Sequence, residues 1–464
     1  MFINRKSITS KDWILFVLIG FAIGLISVGP SFDLRSRAGG TPANIIIDAS
    51  SSGERISTEW FHAFSQGGEE STDMIGPVVA PVSALSPSYI RIDHIYDGYA
   101  TVTRNTQGLQ YDWTRLDQAL DSIVKTGATP VLALSYMPDV IAKDGSIIRQ
   151  PNVWLEWTEV VKATIEHVSG TKRITNVYYE VWNEPDLGQF GGWKYYGDLN
   201  YLTLYAFAAR GASRANQVQP FKLGGPSTTA MYTAWIDALV KNGHRLDFLS
   251  WHVYDKRTTR IREDILKFQE KYRDNEHIRT LPILITEYGF TGSKDALYSS
   301  SYAAAYTAAT IRQVWDLNPR PILFTFQLKD GPSQEDGWGI IGHESKGAIK
   351  KPRYHAFSFL DQLKGERLTL TGEGSWVTAL AYKDEATIRV VFINVDPDTP
   401  GAIHSENVPV TIEHLPPGQY TMRLRYFLGS DTTKGIHIID GNPRKIEVYI
   451  PANSLVLLEV SPKK

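Results

Sequence analysis

The chain has 464 residues, which is more than one ordinary hydrophobic core accommodates, so its length favours two domains, one of them large enough for a barrel. Its 48 basic and 50 acidic residues nearly cancel, and no basic stretch stands out, so nucleic acid is not an expected partner. The absence of cysteine excludes disulfides, thiolate metal sites, a cysteine nucleophile and a lipid-modified cysteine anchor.

An uncharged apolar stretch lies near the N-terminus, and three basic residues precede it. Positive charge before such a run predicts a cytoplasmic tail over residues 1–12, a single-pass transmembrane signal anchor over 13–29 and a flexible linker over 30–43. The rest of the chain would then lie on the extracytoplasmic side of a bacterial cytoplasmic membrane. Removal of the stretch as a signal peptide, followed by secretion, is the alternative.

Strand-like and helix-like segments alternate from residue 60 to residue 365. Some of the strand-like runs are apolar throughout, which is typical of strands buried on both faces. Alternation with helical segments predicts a parallel sheet with helical crossovers, and eight strands predict a (β/α)8 TIM barrel over 60–365. The predicted strands cover residues 60–67, 89–94, 129–135, 176–181, 221–225, 246–251, 281–285 and 321–326.

The pattern changes at residue 366. Short alternating strands separated by turn signals, such as Pro416-Pro417-Gly418, predict an antiparallel β-sandwich over 366–464. One early strand, within the segment 44–59, precedes the first barrel strand, and a barrel without it has eight strands. We therefore expect that segment to join the sandwich.

Two glutamates follow buried strands of the predicted barrel. Glu184 comes after the fourth strand and Glu287 after the seventh, roughly 100 residues later, which is enough for about three β/α units. Because the carboxyl ends of barrel strands meet at one face, we expect the two side chains to face each other across the barrel mouth. Glycoside hydrolysis requires such a pair, one carboxyl group to donate a proton and one to attack or stabilise the sugar cation.

Five short motifs lie at or near the ends of predicted strands: Ser135-Tyr136-Met137-Pro138, Glu180-Val181-Trp182-Asn183-Glu184-Pro185, Gly224-Gly225-Pro226, Ser250-Trp251-His252-Val253-Tyr254 and Thr286-Glu287-Tyr288-Gly289. Their order resembles that of the retaining (β/α)8 glycosidases, and the nearest resemblance is to glycoside hydrolase family 39. That family includes β-xylosidases, α-L-iduronidases and membrane-anchored bacterial endoglycosidases of exopolysaccharide systems. The resemblance covers roughly residues 44–464, including the sandwich.

The resemblance implies a role for each glutamate. Glu184 would be the general acid/base, its pKa raised by the nearby charge of Glu287, and Glu287 would be the nucleophile that forms a covalent glycosyl-enzyme. It also implies the retaining geometry, with carboxyl groups about 5–5.5 Å apart. Asn183 would hydrogen-bond the 2-hydroxyl of the sugar.

Further residues are expected to bind substrate. The resemblance places Tyr254 near the nucleophile and His252 in the cleft, with packed core residues as the alternative for both. Arg91, on the second strand, is expected to keep the nucleophile ionised through a charge-assisted bond. A purely structural ion pair with another carboxylate is the alternative for Arg91.

Two positions depart from the family pattern. Where relatives often have Arg-x-His-Gly, this chain has Arg91-Ile92-Asp93-His94, so Asp93 adds a carboxylate that is expected to contact a sugar hydroxyl or a basic or amino sugar. The eighth strand lacks the Trp that many related barrels place under the sugar, and either Trp338 or Trp193 is expected to replace it, with a core position as the alternative. These departures leave the xylosidase and iduronidase specificities open.

The sequence predicts neither a metal site nor a cofactor, because no ligand spacing such as His-Glu-x-x-His and no phosphate-binding glycine loop is present. Three functions follow as hypotheses. The first is an endo-acting retaining glycosidase that cleaves a polysaccharide at the membrane, and the second is an exo-acting β-xylosidase-like enzyme. The third is a non-catalytic carbohydrate-binding protein that keeps the barrel.

Overall fold

The computed structural model describes residues 40–333, 337–396, 404–438 and 444–463, with the backbone alone for 433–438. The predicted tail, the predicted anchor and most of the predicted linker lie outside these residues. Within the described part of the chain, no helix is long and apolar enough to cross a membrane. Residues Ala43–Lys464 form one compact unit.

The strands of the described residues are numbered in chain order. They are β1 (Ile45–Asp48), β2 (Ala63–Gln66), β3 (Tyr89–Ile92), β4 (Val102–Asn105), β5 (Gly108–Tyr111), β6 (Thr129–Leu134), β7 (Val177–Val181), β8 (Phe221–Thr228), β9 (Phe248–Tyr254), β10 (Ile283–Gly289), β11 (Ile322–Phe326), β12 (Glu366–Arg367), β13 (Thr369–Thr371), β14 (Val377–Asp384), β15 (Thr387–Asn394), β16 (Glu406–Glu413), β17 (Gly418–Tyr426), β18 (Asp431–Ile438), β19 (Arg444–Ile450) and β20 (Ser454–Pro462).

The α-helices of the same residues are numbered in the same way. They are α1 (Val79–Ser83), α2 (Thr114–Lys125), α3 (Trp154–Ile165), α4 (Tyr201–Arg214), α5 (Thr233–Lys241), α6 (Arg260–Lys271), α7 (Glu276–Arg279), α8 (Ser301–Val314) and α9 (Pro352–Leu360).

Eight parallel strands close into a barrel in the order β2-β3-β6-β7-β8-β9-β10-β11, so the predicted TIM barrel is confirmed. Apolar side chains such as Val131, Phe248 and Leu284 fill its interior. A second, larger set of buried side chains lies between the barrel strands and the surrounding helices. Burial on both faces explains why strands such as β6 are apolar throughout.

Two element boundaries differ from the prediction. The first barrel strand is only β2, because Trp60 and Phe61 belong to a turn and pack their rings against Trp315. The spacing of apolar residues predicts a helix over 111–126, but the helix begins at Thr114, because the residues before it form the hairpin of β4 and β5. In both places, apolar residues extend the predicted element beyond its true start. These residues belong instead to a turn or to a hairpin.

The C-terminal region is a β-sandwich of a four-stranded sheet, β13-β1-β16-β19, and a six-stranded sheet, β12-β14-β15-β20-β17-β18. Strand β1 lies between β13 and β16, so the segment before the barrel contributes a central strand to the sandwich. Alternate residues of β1, Ile45 and Ile47, are fully buried between the sheets. This is the period of two that a strand with one core-facing side requires.

Helix α8 joins the barrel to the sandwich. Most of its side chains are buried, and its alanines allow close approach on several sides. Near its end, Arg312 forms a bidentate pair with Glu373 of the sandwich at 2.8 and 2.7 Å. The indole nitrogen of Trp315 donates to Tyr382 Oη at 2.8 Å. The barrel and the sandwich therefore share a continuous packed interface.

Candidate active site

The two glutamates lie at the C-terminal end of the barrel. Glu287 is in β10, the seventh barrel strand, and Glu184 follows β7, the fourth. Trp182 and Glu184 both have left-handed backbone conformations, with φ of 74° and 44°, and the amide of Glu184 donates to Ser227 O at 3.0 Å. Left-handed backbone at non-glycine residues is costly and persists where surrounding contacts impose it, often at functional sites.

The two carboxyl groups are close to each other. One oxygen of Glu184, one oxygen of Glu287 and one ring nitrogen of His252 all lie within 4.8 Å of one another. The two carboxyl groups are therefore directly opposed, with one histidine between them.

Arg91 is the centre of the buried polar network. Its side chain is 0% exposed, and three nitrogens of the guanidinium group each donate to a different acceptor. Nε donates to Glu180 Oε2 at 2.7 Å, Nη1 to Glu287 Oε1 at 3.0 Å and Nη2 to Asn183 Oδ1 at 2.7 Å. The sequence left two alternatives for Arg91, a bond to Glu287 and a structural ion pair with another carboxylate. The structure contains both.

Tyr254 and Asn183 each adjoin one of the glutamates. Tyr254 Oη donates to Glu287 Oε2 at 2.7 Å, and burial together with the charge of Glu287 raises the pKa of Tyr254 well above its usual value. The phenol therefore remains a hydrogen-bond donor. Asn183 Nδ2 donates to Tyr136 Oη at 2.9 Å, which fixes the amide beside Glu184.

His252 bridges the two carboxyl groups. Its Nδ1 is 2.8 Å from Glu184 Oε1 and 3.6 Å from Glu287 Oε2, and its Nε2 is 3.3 Å from Ser227 Oγ. Burial acts to lower the pKa of His252, but the charge of Glu287 and the hydrogen bond to Glu184 raise it above its usual value. One hydrogen lies between His252 and Glu184.

The electrostatic environment of Glu287 combines opposing effects. Burial raises its pKa, the positive charges of His252 and Arg91 lower it, and the neighbouring Glu184 raises it again, with a net upward shift. Two carboxyl groups this close repel each other when both are ionised. Arg91 and Tyr254 both donate to Glu287, so the negative charge of the pair is stabilised there.

A cavity of about 460 Å³ opens above the glutamates. Asp93 and Trp338 line it, together with Asn183, Tyr254 and both glutamates. Trp338 packs edge-on against Phe326 and donates its indole hydrogen to Ser293 O at 3.1 Å. Trp193 is fully buried against Trp182, so it cannot serve as the sugar platform considered from the sequence.

Sequence reasoning gave no role to three other residues of the site. Glu180 accepts from Arg91 and from Thr286 Oγ1 at 2.9 Å, and Arg91 and His252 overcome the effect of burial to lower its pKa. Tyr136 holds Asn183, and Glu69 lines the cavity. A charged residue inside the fully buried strand β7 was the available signal for Glu180, whereas Glu69 lies in a loop without such a signal.

A second cluster, formed by Glu70, His343 and Glu344, also has ligand-type atoms within 4.8 Å of one another. The buried ammonium group of Lys329 lies 3.1 Å from Glu70 Oε2 and 2.5 Å from Glu344 Oε2, so it already balances the two carboxylates. His343 Nδ1 accepts from Ser345 N at 3.1 Å, and its Nε2 lies 3.4 Å from both Glu70 Oε2 and Glu344 Oε1. The chemistry of this donor set fits an ion-pair cluster rather than a metal site.

Comparison with known proteins places the chain in a family. Residues 47–434 match the model of "Glycosyl hydrolases family 39". A β-xylosidase of Caldicellulosiruptor saccharolyticus is 28% identical over 368 residues, which cover 71% of this chain and 73% of that protein. A β-xylosidase of Geobacillus stearothermophilus is 26% identical over 302 residues, covering 57% of this chain and 58% of the relative.

Solved structures support the fold. A GH39 enzyme from Xanthomonas axonopodis pv. citri matches with a TM-score of 0.69 and 20% identity, covering 92% of this chain and 99% of that one. A monomeric β-xylosidase from Caulobacter crescentus CB15 matches with a TM-score of 0.69 and 20% identity, covering 91% and 100%. At this identity, the matches show a shared barrel and sandwich architecture.

A TIM barrel with opposed glutamates on its fourth and seventh strands, in a chain that matches a glycosidase family over most of its length, defines the class of this protein as a glycoside hydrolase. The chain belongs to glycoside hydrolase family 39. The resemblance found in the sequence motifs is confirmed, and so is the prediction of an enzyme.

Proposed function

We propose that this protein is a retaining, exo-acting β-glycosidase similar in action to the β-xylosidases it matches. The observation that carries the proposal is the proximity of Glu184 and Glu287, whose nearest oxygens are within 4.8 Å. Retaining enzymes keep their carboxyl groups about 5–5.5 Å apart, whereas inverting enzymes need about 6.5–9.5 Å to admit a water molecule.

The different surroundings of Glu184 and Glu287 give the two carboxyl groups different roles in a two-step displacement. Glu184 donates its proton to the departing glycosidic oxygen while Glu287 attacks the anomeric carbon and forms a covalent glycosyl-enzyme. Glu184 then removes a proton from the incoming water, which cleaves the ester and regenerates both groups. Arg91 and Tyr254 hold the Glu287 oxygens in position, and His252 shares its hydrogen with Glu184 throughout.

Two observations support exo action. Both curated relatives described above are named β-xylosidases. The cavity of about 460 Å³ also lies in the size range of pockets that enclose one small ligand, about 300–1,000 Å³. Both favour release of a single sugar over cleavage within a long polymer. Cleavage within a polymer was the first hypothesis from the sequence.

Azide rescue tests the roles of the two glutamates. With an activated aryl β-glycoside, Glu287→Ala should be inactive, and azide should restore turnover with an α-glycosyl azide as product, because azide replaces the missing nucleophile. Glu184→Ala with azide should give the β-glycosyl azide, because the covalent intermediate still forms. The reverse assignment of products, or an α-sugar as the first hydrolysis product of the unchanged enzyme, would contradict the retaining assignment.

Endo action on a polysaccharide is the second candidate, and exposed tyrosines favour it. Tyr196 and Tyr232 are 60% and 43% exposed, and Tyr232 Oη is 3.5 Å from Oγ1 of Thr229, which lines the cavity. Exposed aromatic rings offer stacking surfaces for further sugar rings. Reducing-end assays on bacterial and plant polysaccharides beside aryl β-monosaccharides separate the candidates: efficient aryl cleavage supports exo action, and oligosaccharide release with aryl substrates untouched overturns it.

We also propose that residues 13–29 hold the enzyme at the extracytoplasmic side of the membrane. The uncharged run and the basic residues before it support this location. Alkaline extraction of membranes from expressing cells, followed by protease treatment of intact spheroplasts, should leave the protein in the membrane pellet and accessible to protease. Recovery of the full-length chain in the soluble cell fraction would contradict the proposal.

A further inference from the structure

Asp93 is a buried carboxylate with an unsatisfied oxygen. Its side chain is only 6% exposed, it lines the cavity beside the glutamates, and its Oδ1 is enclosed without a hydrogen-bond donor. Buried carboxylates in proteins nearly always accept hydrogen bonds, because losing hydration without replacement is costly. The missing donor is therefore expected from a molecule in the cavity.

The surroundings of Asp93 form an acidic wall. Glu69 also lines the cavity, and burial, with the charge of Asp93, raises the pKa of Glu69 to about 7. Burial acts to lower the pKa of His94, but Asp93 and Asp97 outweigh it and raise that pKa to about 9. His94, which also lines the cavity, is therefore cationic, and its charge is balanced by Asp97, whose Oδ2 lies 2.8 Å from His94 Nδ1.

The other positive charges near this wall are balanced by carboxylates or lie outside the cavity. Arg91 is shared among Glu180, Glu287 and Asn183. Among the described residues that line the cavity, none is lysine or arginine. Lys294 lies over the ring of Trp338, 5.8 Å from its centroid, but does not line the cavity.

The position of the wall identifies the part of the substrate it meets. Glu184 protonates the leaving oxygen, so the leaving group extends past the loops that follow β7 and β8, where Thr229 lies. Asp93 and Glu69 follow β3 and β2, on the other side of Glu287. They therefore face the sugar that becomes attached to Glu287.

We propose that Asp93, together with Glu69, accepts hydrogen bonds from hydroxyl groups of the sugar that bonds to Glu287, so that the enzyme accepts a neutral glycone and rejects a uronic acid. The inference rests on the proposed function and adds the charge class of the substrate. A sugar hydroxyl in the cavity donates a hydrogen bond to the Asp93 carboxylate. A sugar carboxylate supplies no donor and brings a further negative charge to a wall that already contains Asp93 and Glu69.

Covalent labelling of Glu287 tests this directly, because it requires only the sugar attached to the nucleophile. We would measure labelling rates by protein mass spectrometry with 2-deoxy-2-fluoro-β-D-xylosyl, -glucosyl and -glucuronyl fluorides. The last two probes differ only at C6. The unchanged enzyme should react with the better neutral probe at least about 100-fold faster than with the glucuronyl probe, because like charges placed together cost several kcal/mol.

Asp93→Asn removes the charge and keeps the shape. It should react with the neutral probe about 10- to 100-fold more slowly, as expected for loss of a hydrogen bond to a charged acceptor. The ratio of the neutral to the glucuronyl labelling rate should also become smaller. Its unfolding temperature should be equal to or above that of the unchanged enzyme, because an unpaired buried charge has been removed. Asp264→Asn is the matched control: Asp264 is also buried, at 4% exposed, but it lies on helix α6 and does not line the cavity, so the ratio of the neutral to the glucuronyl labelling rate should stay within about threefold of that of the unchanged enzyme.

Each outcome decides between the alternatives. Equal labelling by the glucuronyl probe, or unchanged neutral labelling of a folded Asp93→Asn enzyme, overturns the inference while leaving Glu287 as the nucleophile. No labelling of Glu287 by any probe, together with failed azide rescue, overturns the proposed function and the inference with it.

Discussion

A single buried guanidinium group organises three groups of the active site. Arg91 contacts Glu287, the structural Glu180 and Asn183, so removing it would release Glu287, the proposed nucleophile, and leave a buried carboxylate unpaired. Removing one partner of such a buried pair typically costs about 3–5 kcal/mol of stability. Arg91 thus supports both the fold of the barrel mouth and the chemistry there.

Tyr254→Phe tests how Glu287, the proposed nucleophile, is held. The variant loses the only hydroxyl that donates to Glu287 among the described residues, so kcat should fall about 10- to 100-fold. This donor favours the ionised form of Glu287, so its loss should raise the pKa of Glu287. The acidic limb of the kcat/KM profile should therefore move to higher pH, which initial-rate measurements across pH would show.

Tyr179→Phe is the control for that experiment. Tyr179 is also buried and loses one hydrogen bond, to Ser169 Oγ at 2.8 Å, but it does not line the cavity. Its profile should keep the acidic limb of the unchanged enzyme. A Tyr254→Phe enzyme with an unmoved acidic limb would show that Tyr254 does not tune Glu287.

At the level of single elements, irregular strands aim the functional side chains. Strand β10 has a register shift between Ile285 and Glu287 in its pairing with β9, so one extra residue lies on β10 there. Strand β8 has a similar shift beside Ser227. Bulges re-aim side chains and are frequent next to active sites. Here they coincide with Glu287 and with Ser227, which contacts both Glu184 and His252.

Gly289→Ala tests the close packing at the end of β10. A Cβ at this position would lie 2.3 Å from Tyr298 Oη and 3.3 Å from Tyr254 Cε1. Relief of that overlap should displace Tyr254, lower kcat by about tenfold and cost about 1–3 kcal/mol in the free energy of unfolding. Gly342→Ala, whose Cβ would meet neighbours no closer than 3.6 Å, should change neither quantity measurably. Full activity of Gly289→Ala would show that β10 tolerates the added methyl group.

At the level of the whole molecule, the sandwich is part of the catalytic unit. Its strands supply Leu380, Val391 and Leu457 to the same core as the barrel helices. The strand that precedes the barrel, β1, lies at the centre of one sandwich sheet. The sandwich therefore depends on both ends of the described chain, and the barrel depends on the sandwich to cover α8.

Removal of the sandwich should prevent independent folding. A fragment of residues 60–365 exposes the apolar face of α8 and leaves Arg312 without Glu373, so we expect it in the insoluble fraction. A fragment of residues 40–464 should be soluble and unfold in one calorimetric transition. A soluble, active 60–365 fragment, or two separate transitions in the longer one, would show that the two regions fold independently.

Much of this architecture follows from local sequence patterns. Buried strands alternating with amphipathic helices predicted the barrel, and the spacing of Glu184 and Glu287 predicted the strands on which they lie. Arg91 was expected beside Glu287, and it lies there. These features are readable because apolar periodicity and the shared direction of barrel strands are properties of the chain order itself.

Other features depend on contacts between distant parts of the chain. The pairing of Arg91 with Glu180, the unsatisfied oxygen of Asp93 and the burial of Trp193 are not visible in any local pattern. The sequence alone determined a two-carboxylate barrel glycosidase, because repeating patterns along one strand or helix encode it. Only the tertiary structure decided which charges are paired and which remain free to meet a substrate, because pairing depends on side-chain directions from strands that are far apart in sequence.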